Sequence, residues 1–441
     1  LPAETALILL TAVYIGCEFG GRISSILLNV PGDAGAIMTA IDGNPMARKG
    51  QGGVALSISA WASFVGSTVA TVGIVLFAPL LARWALAFGP AEYFALMCFA
   101  FACITGLMGD QPIKAMLAAI IGLSLSTVGL DSNSGVYRFT GDNVHLSDGI
   151  QFIVLVIGLF SVSEILLMLE HQADTSGLIR TVGRTLFNTK ELMQTGWTIV
   201  RSSLLGFVVG VLPGAGATIA SAMAYSVEKR LNDKEGTFGK GDIRGVTAPE
   251  AANNASANGS FIPMLTLGVP GSGTTAVMVG ALSLYNITPG PALFTQQPAL
   301  VWGLIASMFV ANFLLLIINI PLVGVFTRLL LVPNWLLVPG ILAISAVGVY
   351  SVHATTFDLM LMGGFGLVGY LLRKGGVPMA PLILGFVLGD MMEQSLRRAL
   401  SITNGELDIL WKSPISLCLW VGVVAMLVVP PLYRRWARRA A

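Results

Sequence analysis

Two Pro-Gly pairs interrupt long apolar runs at corresponding places in the two halves of the chain. Residues 26–32 read ILLNVPG and residues 265–271 read LTLGVPG. A break inside a membrane-embedded helix frees backbone N–H and C=O groups, which are tolerated only beside protein or a water-filled cavity. The start of the second half-helix attracts a carboxylate, and the carbonyl end of the first half attracts Na⁺. The pair therefore indicates a secondary transporter built from an internal repeat.

We expect the two breaks to hold the carboxylate groups of a substrate, because backbone amides follow each break and small hydroxyl residues follow the second. The predicted substrate-binding residues are Asn29, Pro31, Gly32 and Gly35 at the first break and Pro270, Gly271, Ser272, Gly273, Thr274 and Thr275 at the second. The alternative is that both breaks are kinks that only support helix packing.

A polar stretch, VTAPEAANNASANGS over 246–260, leads into the second break and is predicted to help bind a cation. Amide, hydroxyl and carbonyl oxygens are ordinary ligands of hard cations. The predicted Na⁺-binding residues are Asn29, Asn253, Asn254, Gly214, Gly216 and Thr218. A helix cap with a polar loop at the membrane interface is the alternative for this stretch.

A third Pro-Gly pair, Pro213-Gly214, has no counterpart in the first half of the chain. Because the sequence starts inside an apolar segment, we expect the matching element to lie upstream of residue 1.

Four further acids, Glu164, Asp358, Asp390 and Glu393, lie in or at the ends of apolar runs, where an ionisable group is a functional candidate. Glu393 is spaced for an ion pair with Arg397 or Arg398, whereas Glu164 has no evident partner in the sequence.

Composition places the chain among polytopic membrane proteins. Hydrophobic residues make up 55% of it and charged residues 11%, against about 25% charge in soluble domains. Its four cysteines and three histidines show no ligand spacing, so we expect no transition-metal site, no cofactor and no catalytic histidine. The formal net charge of +2 does not point to a nucleic-acid partner.

We predict an all-α polytopic membrane protein with about 10 to 12 transmembrane or re-entrant segments. The apolar runs lie near residues 3–28, 54–82, 92–109, 112–130, 149–169, 197–226, 258–284, 298–327, 335–352, 356–372, 377–395 and 414–433. The predicted division is a first repeat over 1–170, a linker over 171–196 and a second repeat over 197–441. We expect the repeats to be inverted, as in carriers of this style.

Basic residues concentrate in the loops at 170–196 and 228–247 and in the tail after residue 433. By the positive-inside rule these parts, including the C-terminus, are expected to face the cytoplasm.

Several long motifs resemble the large membrane subunit of the tripartite tricarboxylate transporters. They are YIGCEFGGRISSILLNVPG with AIDGNPMARKG, GVLPGAGATIASAMAYSVEKR, and APEAANNASANGSFIPMLTLGVPGSGTTAVMVGAL with TPGPALF. They occur in the family's order over nearly the whole chain.

The resemblance implies a permease of the bacterial inner membrane that imports di- or tricarboxylates, driven by a cation gradient that we expect to be Na⁺. Its implied partners are a small membrane subunit and a periplasmic solute-binding protein, besides the lipid bilayer. Asp33 and Asp390 depart from the family pattern. An extra acid near an anion site could alter the substrate or the ion stoichiometry.

Alternating access would come from movement of the broken segments against the helices at 54–109 and 298–352, which could also carry partner or homodimer contacts. A carboxylate-permeable channel is the first rival. It would predict a polar lining but would not need two symmetric breaks. A membrane-embedded enzyme is the second, but the sequence lacks a nucleophile with a placed base.

Overall fold

The computed structural model describes residues 1–29, 32–107, 111–131, 133–170, 183–214, 216–319, 321 and 332–440. These residues are almost entirely helical, as predicted. The helices are α1 Ala3–Leu28, α2 Ile37–Met46, α3 Gly52–Ala85, α4 Pro90–Leu107, α5 Pro112–Ser126, α6 Phe152–Val156, α7 Ser163–Glu170, α8 Thr189–Val211, α9 Gly216–Asn232, α10 Ile243–Gly259, α11 Phe261–Leu267, α12 Gly273–Leu284, α13 Leu293–Gln296, α14 Pro298–Asn319, α15 Asn334–His353, α16 Thr356–Lys374, α17 Met379–Ile402, α18 Ile409–Lys412 and α19 Pro414–Ala440.

Short irregular elements join some of these helices. Two π-helical turns, Ala47–Gln51 and Ile157–Val162, continue α2 and α6, and a 3₁₀ turn covers Val144–Leu146. The strands β1 (Gly129–Leu130) and β2 (Tyr137–Arg138) form an antiparallel pair.

Among the described residues, five helical segments are long and apolar enough to cross a membrane. They are Ala3–Leu28, Ile37–Ala85, Phe152–Glu170, Pro298–Asn319 and Trp335–His353. Four shorter apolar helices accompany them in the described chain, and together they fit an all-α polytopic membrane fold. The internal repeats and their boundaries at 170 and 197 remain predictions.

The chain folds as two units, each made of two stretches of sequence. The broken-helix unit comprises Leu1–Leu86 and Asp174–Leu331, and the second unit comprises Ala87–Ala173 and Val332–Ala441. Our expectation that the broken segments move against the helices at 54–109 and 298–352 as a separate body is wrong for α3 and α14, because these two helices belong to the broken-helix unit. The physical reason is that α3 packs its small polar residues against α10.

All three Pro-Gly breaks interrupt helices, as predicted. The first separates α1 from α2, the pair at 213–214 separates α8 from α9, and the pair at 270–271 separates α11 from α12. Asn29 ends α1 in the left-handed conformation, with φ 58°, and Gly268 ends α11 in the same way, with φ 71°. Gly214 also has a positive φ, 78°. Left-handed residues turn the chain out of the helix.

Helix α10 lies between α3 and α8, and glycines set its distance from both. A Cβ atom added to Gly206 would lie 2.6 Å from the Cα of Ala252, and one added to Gly210 would lie 2.7 Å from the Cα of Ser256. On α3, Gly66 contacts the Ala251 carbonyl in the same way. Small residues at such contacts let helix backbones approach closely within a membrane.

Two of the four predicted acids, Glu393 and Glu164, pair with arginines, whereas Asp358 contacts His353 and Asp390 accepts a hydrogen bond from Gln394. Glu393 accepts hydrogen bonds from Arg397 at 2.6 Å, as its spacing predicted, and from Arg138 at 2.9 Å. Glu164 pairs with Arg373, so the expectation of an unpartnered Glu164 is wrong. The pair joins residues 209 positions apart, a separation that local spacing could not reveal.

We predict that Gly206→Val lowers the thermal unfolding midpoint of the detergent-solubilised protein. The new side chain would push α8 away from the Ala252 backbone, and overpacking of this kind costs about 1–3 kcal/mol. Gly196→Val on the same helix is the matched control, because a Cβ there meets nothing within 4 Å. Equal midpoints for the two variants would contradict the close α8–α10 contact.

Candidate functional site

Helix α10 carries the polar stretch predicted from the sequence, and it is buried along nearly its whole length. Every residue from Ile243 to Gly259 except Arg244 is buried. The alternative of a polar loop at the membrane interface is therefore wrong. Buried polar groups are costly unless they find partners, so the contacts of this helix define the site.

Glu250 joins α10 to α2 and α3. Its carboxylate is 0% exposed and accepts hydrogen bonds from the hydroxyl groups of Thr39, at 2.7 Å, and Ser63, at 2.9 Å. Hydrogen bonds to an ionised group are stronger than those between neutral groups. Glu250 therefore fixes the start of the half-helix that follows the first break against the centre of α10.

Three asparagines of α10 each donate through the side-chain nitrogen. Asn253 donates to Glu18 Oε2 at 2.9 Å, Asn254 to the Glu250 carbonyl at 3.1 Å and Asn258 to the Ser67 carbonyl at 3.1 Å. These partners can only accept, so they fix the orientation of each amide group.

The Oδ1 atoms of the same three asparagines are buried and accept no hydrogen bond from any residue that the structure describes. A buried acceptor without a donor needs an explanation, and a bound ion is one. Amide oxygens are suitable ligands for a hard cation. Asn253 and Asn254, both predicted from the sequence to bind Na⁺, therefore have the free acceptor atoms that this role needs.

The first break lies against α1, α9 and α10. The amide of Gly32 donates to the Gly21 carbonyl at 3.2 Å, and the Gly35 carbonyl accepts from Ser221 Oγ at 2.9 Å. A Cβ atom on Gly35 would overlap the side-chain oxygen of Asn253. The structure thus brings Gly35 and Asn253, two predicted site residues, into contact.

The Pro-Gly breaks at 213–214 and 270–271 are in direct contact. The amide of Gly214 donates to the Gly271 carbonyl at 2.9 Å, and a Cβ atom on Gly271 would lie 2.8 Å from the Cβ of Ser260 at the end of α10. Gly214 was predicted as an ion-binding residue and Gly271 as a substrate-binding residue. The breaks at 213–214 and 270–271 therefore form one structure beside α10.

Helix α12 begins just after this structure with a reciprocal capping pair. Ser272 Oγ accepts from the Thr275 amide at 3.2 Å, and Thr275 Oγ1 accepts from the Ser272 amide at 2.8 Å. Among the described hydrogen bonds, none uses the amides of Gly273 or Thr274. These two amides are without a partner among the described residues, as is usual in the first turn of a helix, whereas Thr275 acts as a cap.

Other predicted site residues lie apart from the buried asparagines or outside the described chain. The side chains of Asn29 and Thr218 are exposed, and no described hydrogen bond joins either to Asn253 or Asn254. Pro31 lies outside the described residues. Pro270 is buried at the break, and Gly216 opens α9 with φ 67°.

Two charged residues of α1, Glu18 and Arg22, belong to the site but were not predicted as site residues. Arg22 is 1% exposed and donates to the Phe19 carbonyl and, at 3.2 Å, to Asn319 Oδ1. Its charge acts on Asp33 and Glu250. The available signal was the pair of ionisable residues, four positions apart, in an apolar run.

The loop between α9 and α10 binds the second half of α2 through Asp42. Asp42 Oδ1 accepts from the amides of Gly239 and Gly241 at 2.8 Å and of Asp242 at 2.9 Å, and its other oxygen accepts from the Tyr225 hydroxyl at 2.9 Å. Burial raises the pKa of Asp242, the N-cap of α10, but hydrogen bonds from Arg244 and Thr237 lower it overall. This clamp fixes α2 beside the start of α10.

Comparisons with known proteins agree with this picture of a membrane protein. The model of a family described as the tripartite tricarboxylate transporter TctA family matches residues 1–384. An uncharacterised 52.8 kDa protein in the TAR-I ttuC′ 3′ region of Agrobacterium vitis is 41% identical over 425 residues, which cover 96% of this chain and 85% of that protein. A second uncharacterised protein, in the TAR-II ttuC′ 3′ region of the same organism, is 46% identical over 224 residues, which cover 51% of this chain and 93% of that protein. No solved structure matches the chain.

We predict that Thr39→Val destabilises the protein by removing one hydroxyl donor from the buried Glu250 carboxylate. A hydrogen bond to a charged group contributes about 1.5–3 kcal/mol, so the thermal unfolding midpoint should fall. Thr11→Val is the control, because buried Thr11 donates only to the Leu7 carbonyl of its own helix. Equal losses in both variants would show that the contact between α2 and α10 adds nothing beyond a local bond.

Proposed function

Because the chain belongs to the tripartite tricarboxylate transporter TctA family, we propose that it is the large permease subunit of a secondary transporter that imports di- or tricarboxylates. In our proposal a periplasmic binding protein delivers the substrate, and an inward Na⁺ gradient drives uptake. The family works within a tripartite transporter, with a small membrane subunit and a periplasmic binding subunit. We place the chain in the bacterial inner membrane with its C-terminus in the cytoplasm.

One observation carries this proposal: three broken helices contact a buried helix, α10, and three of its side-chain amide oxygens accept no hydrogen bond from any described residue. A kink that served packing alone would give no reason to bury Asn253, Asn254 and Asn258 with free oxygens. Broken helices at a central polar site are the arrangement by which secondary transporters bind substrates and coupling ions.

The substrate site in this proposal lies at the start of α12. The free amides of Gly273 and Thr274 and the positive end of the helix dipole would hold a carboxylate group, with the exposed Thr274 hydroxyl beside them. The Na⁺ site would use the Oδ1 atoms of Asn253 and Asn254 together with nearby carbonyl oxygens.

Alternating access would follow from movement within this arrangement. The broken segments are joined to one another by a few hydrogen bonds, such as the one from the Gly214 amide to the Gly271 carbonyl and the one from Ser221 of α9 to the Gly35 carbonyl. If the half-helices have two alternative positions, a ligand that binds a break more tightly in one of them shifts the equilibrium toward that position.

The test of this function is uptake of labelled di- and tricarboxylates into proteoliposomes that contain the complete complex and its binding protein. We expect one acid to accumulate with an inward Na⁺ gradient and to stop accumulating when choline replaces Na⁺. Uptake that proceeds equally without any cation gradient would contradict a secondary transporter.

Two substitutions connect this function to the site. Asn254→Ala removes a free oxygen, and Gly271→Leu forces the break at 270–271 away from Ser260, so each should abolish uptake. Gly303→Leu is the control for added bulk, because a Cβ there meets nothing within 4 Å. Full uptake by Asn254→Ala and Gly271→Leu, with normal amounts of protein in the membrane, would refute the site.

A further inference from the structure

The broken-helix unit gathers more acid than base around its first break. Glu18, Asp33 and Glu250 lie close enough to act on one another, and the charge of the buried Arg22 acts on Asp33 and Glu250. Glu250 has two hydroxyl donors of its own. Glu18 and Asp33 are half-buried, so water alone stabilises their ionised forms only in part.

The first break and the break before α12 differ in what occupies the start of the following half-helix. At the first break, Asp33 Oδ1 accepts from the Ala36 amide at 2.8 Å, so a carboxylate of the protein already takes this place. At the other break the corresponding cap is the neutral hydroxyl of Ser272. A second carboxylate beside Asp33 would be repelled, and the first break is therefore poorly suited to an anionic substrate.

Glu18 and Asp33 both belong to one set of contacts that joins α1, the first break and Asn253 of α10. Glu18 accepts from Asn253 Nδ2 at 2.9 Å, and Asn253 turns its oxygen to Gly35. A Cβ atom on Gly21, three residues after Glu18, would overlap Asp33 Oδ2. Gly21 thus lets Asp33 pack closely against α1, and Gly35 lets Asn253 of α10 pack closely against the first break.

Two oxygens of this group have no hydrogen-bond donor among the described residues. They are Asn253 Oδ1, on a side chain that is 0% exposed, and Asp33 Oδ2. Partly desolvated carboxyl groups close to an unpartnered buried amide oxygen form an environment whose ionised state a small hard cation would stabilise. Carboxylate and amide oxygens are ligands of hard cations, and the coupling ion of the proposed function, Na⁺, is a hard monovalent cation.

We propose that Glu18, Asp33 and Asn253 bind the monovalent coupling cation and that the first break and the break before α12 bind different ligands. The first break takes the cation, and the break before α12 takes the substrate carboxylate. This inference rests on the proposed function. It also moves the first-break residues Gly32 and Gly35 from the substrate site to the cation site.

The test measures Na⁺ binding separately from transport, on the complex of this chain with its small membrane subunit in nanodiscs. The thermal unfolding midpoint is followed as NaCl replaces choline chloride at constant ionic strength. We expect Na⁺ to stabilise the unmodified complex. The half-maximal Na⁺ concentration should rise by about tenfold or more in Glu18→Gln and in Asp33→Asn, the factor that corresponds to about 1.4 kcal/mol.

Glu4→Gln is the matched control, because Glu4 lies on the same helix and is exposed, and it should leave the Na⁺ response unchanged. Both test substitutions keep the shape of the side chain, and a midpoint without Na⁺ near that of the unmodified protein checks that each variant folds. An unchanged Na⁺ response in Glu18→Gln and Asp33→Asn overturns the site, as does an unmodified complex that Na⁺ does not stabilise.

Uptake by the same preparations separates this inference from the proposed function. A Na⁺ response that depends on Glu18, without uptake of any carboxylate by the unmodified complex, would leave the cation site standing and refute the transport function. If uptake occurs, saturating Na⁺ should restore it in Glu18→Gln with a similar KM for the carboxylate. A raised KM with an unchanged Na⁺ requirement would instead place Glu18 in the substrate site and overturn the division between the breaks.

Discussion

The burial of a polar helix inside a membrane protein is the constraint on which the broken-helix unit depends. Helix α10 brings Glu250 and three asparagines to positions that water does not reach. Neighbouring elements must supply donors and acceptors, which explains why α3 presents Ser63, Ser67 and Thr71 at four-residue spacing toward it. The same constraint accounts for the glycines of α3 and α8, because close backbone approach is what brings short side chains within hydrogen-bond distance.

The three breaks have a common physical role in this arrangement. Each releases backbone groups that a continuous helix would use internally, and each then bonds to another broken segment or to α10. Gly214 and Gly271 pair directly, whereas Gly35 is held by Ser221 and packs on Asn253. Such contacts are few and polar, so they can be exchanged for contacts with a ligand at modest cost in free energy. Apolar packing around the breaks would not allow that exchange.

The sequence predicted the local features of the site more fully than its long-range contacts. Pro-Gly pairs determine where helices end, so the breaks and the all-α fold could be predicted from composition and short motifs. Asn253 and Asn254 could be identified because they belong to a polar stretch that directly precedes an apolar, membrane-spanning type of sequence. The partners of Glu250 could not, since Thr39 and Ser63 lie 211 and 187 positions away. Neither could Glu18, whose role depends on a contact across 235 positions, nor the assignment of α3 to the broken-helix unit.

The central claim is that the broken helices and α10 form the place where substrate and cation bind. The most direct measurement is a cryo-EM structure of the complex in nanodiscs, with saturating Na⁺ and the carboxylate that the uptake assay identifies. The account predicts density for a carboxylate group within hydrogen-bond distance of the Gly273 and Thr274 amides, and density for a cation beside Asn253. A carboxylate bound only within the second unit, with the broken segments unoccupied, would contradict it.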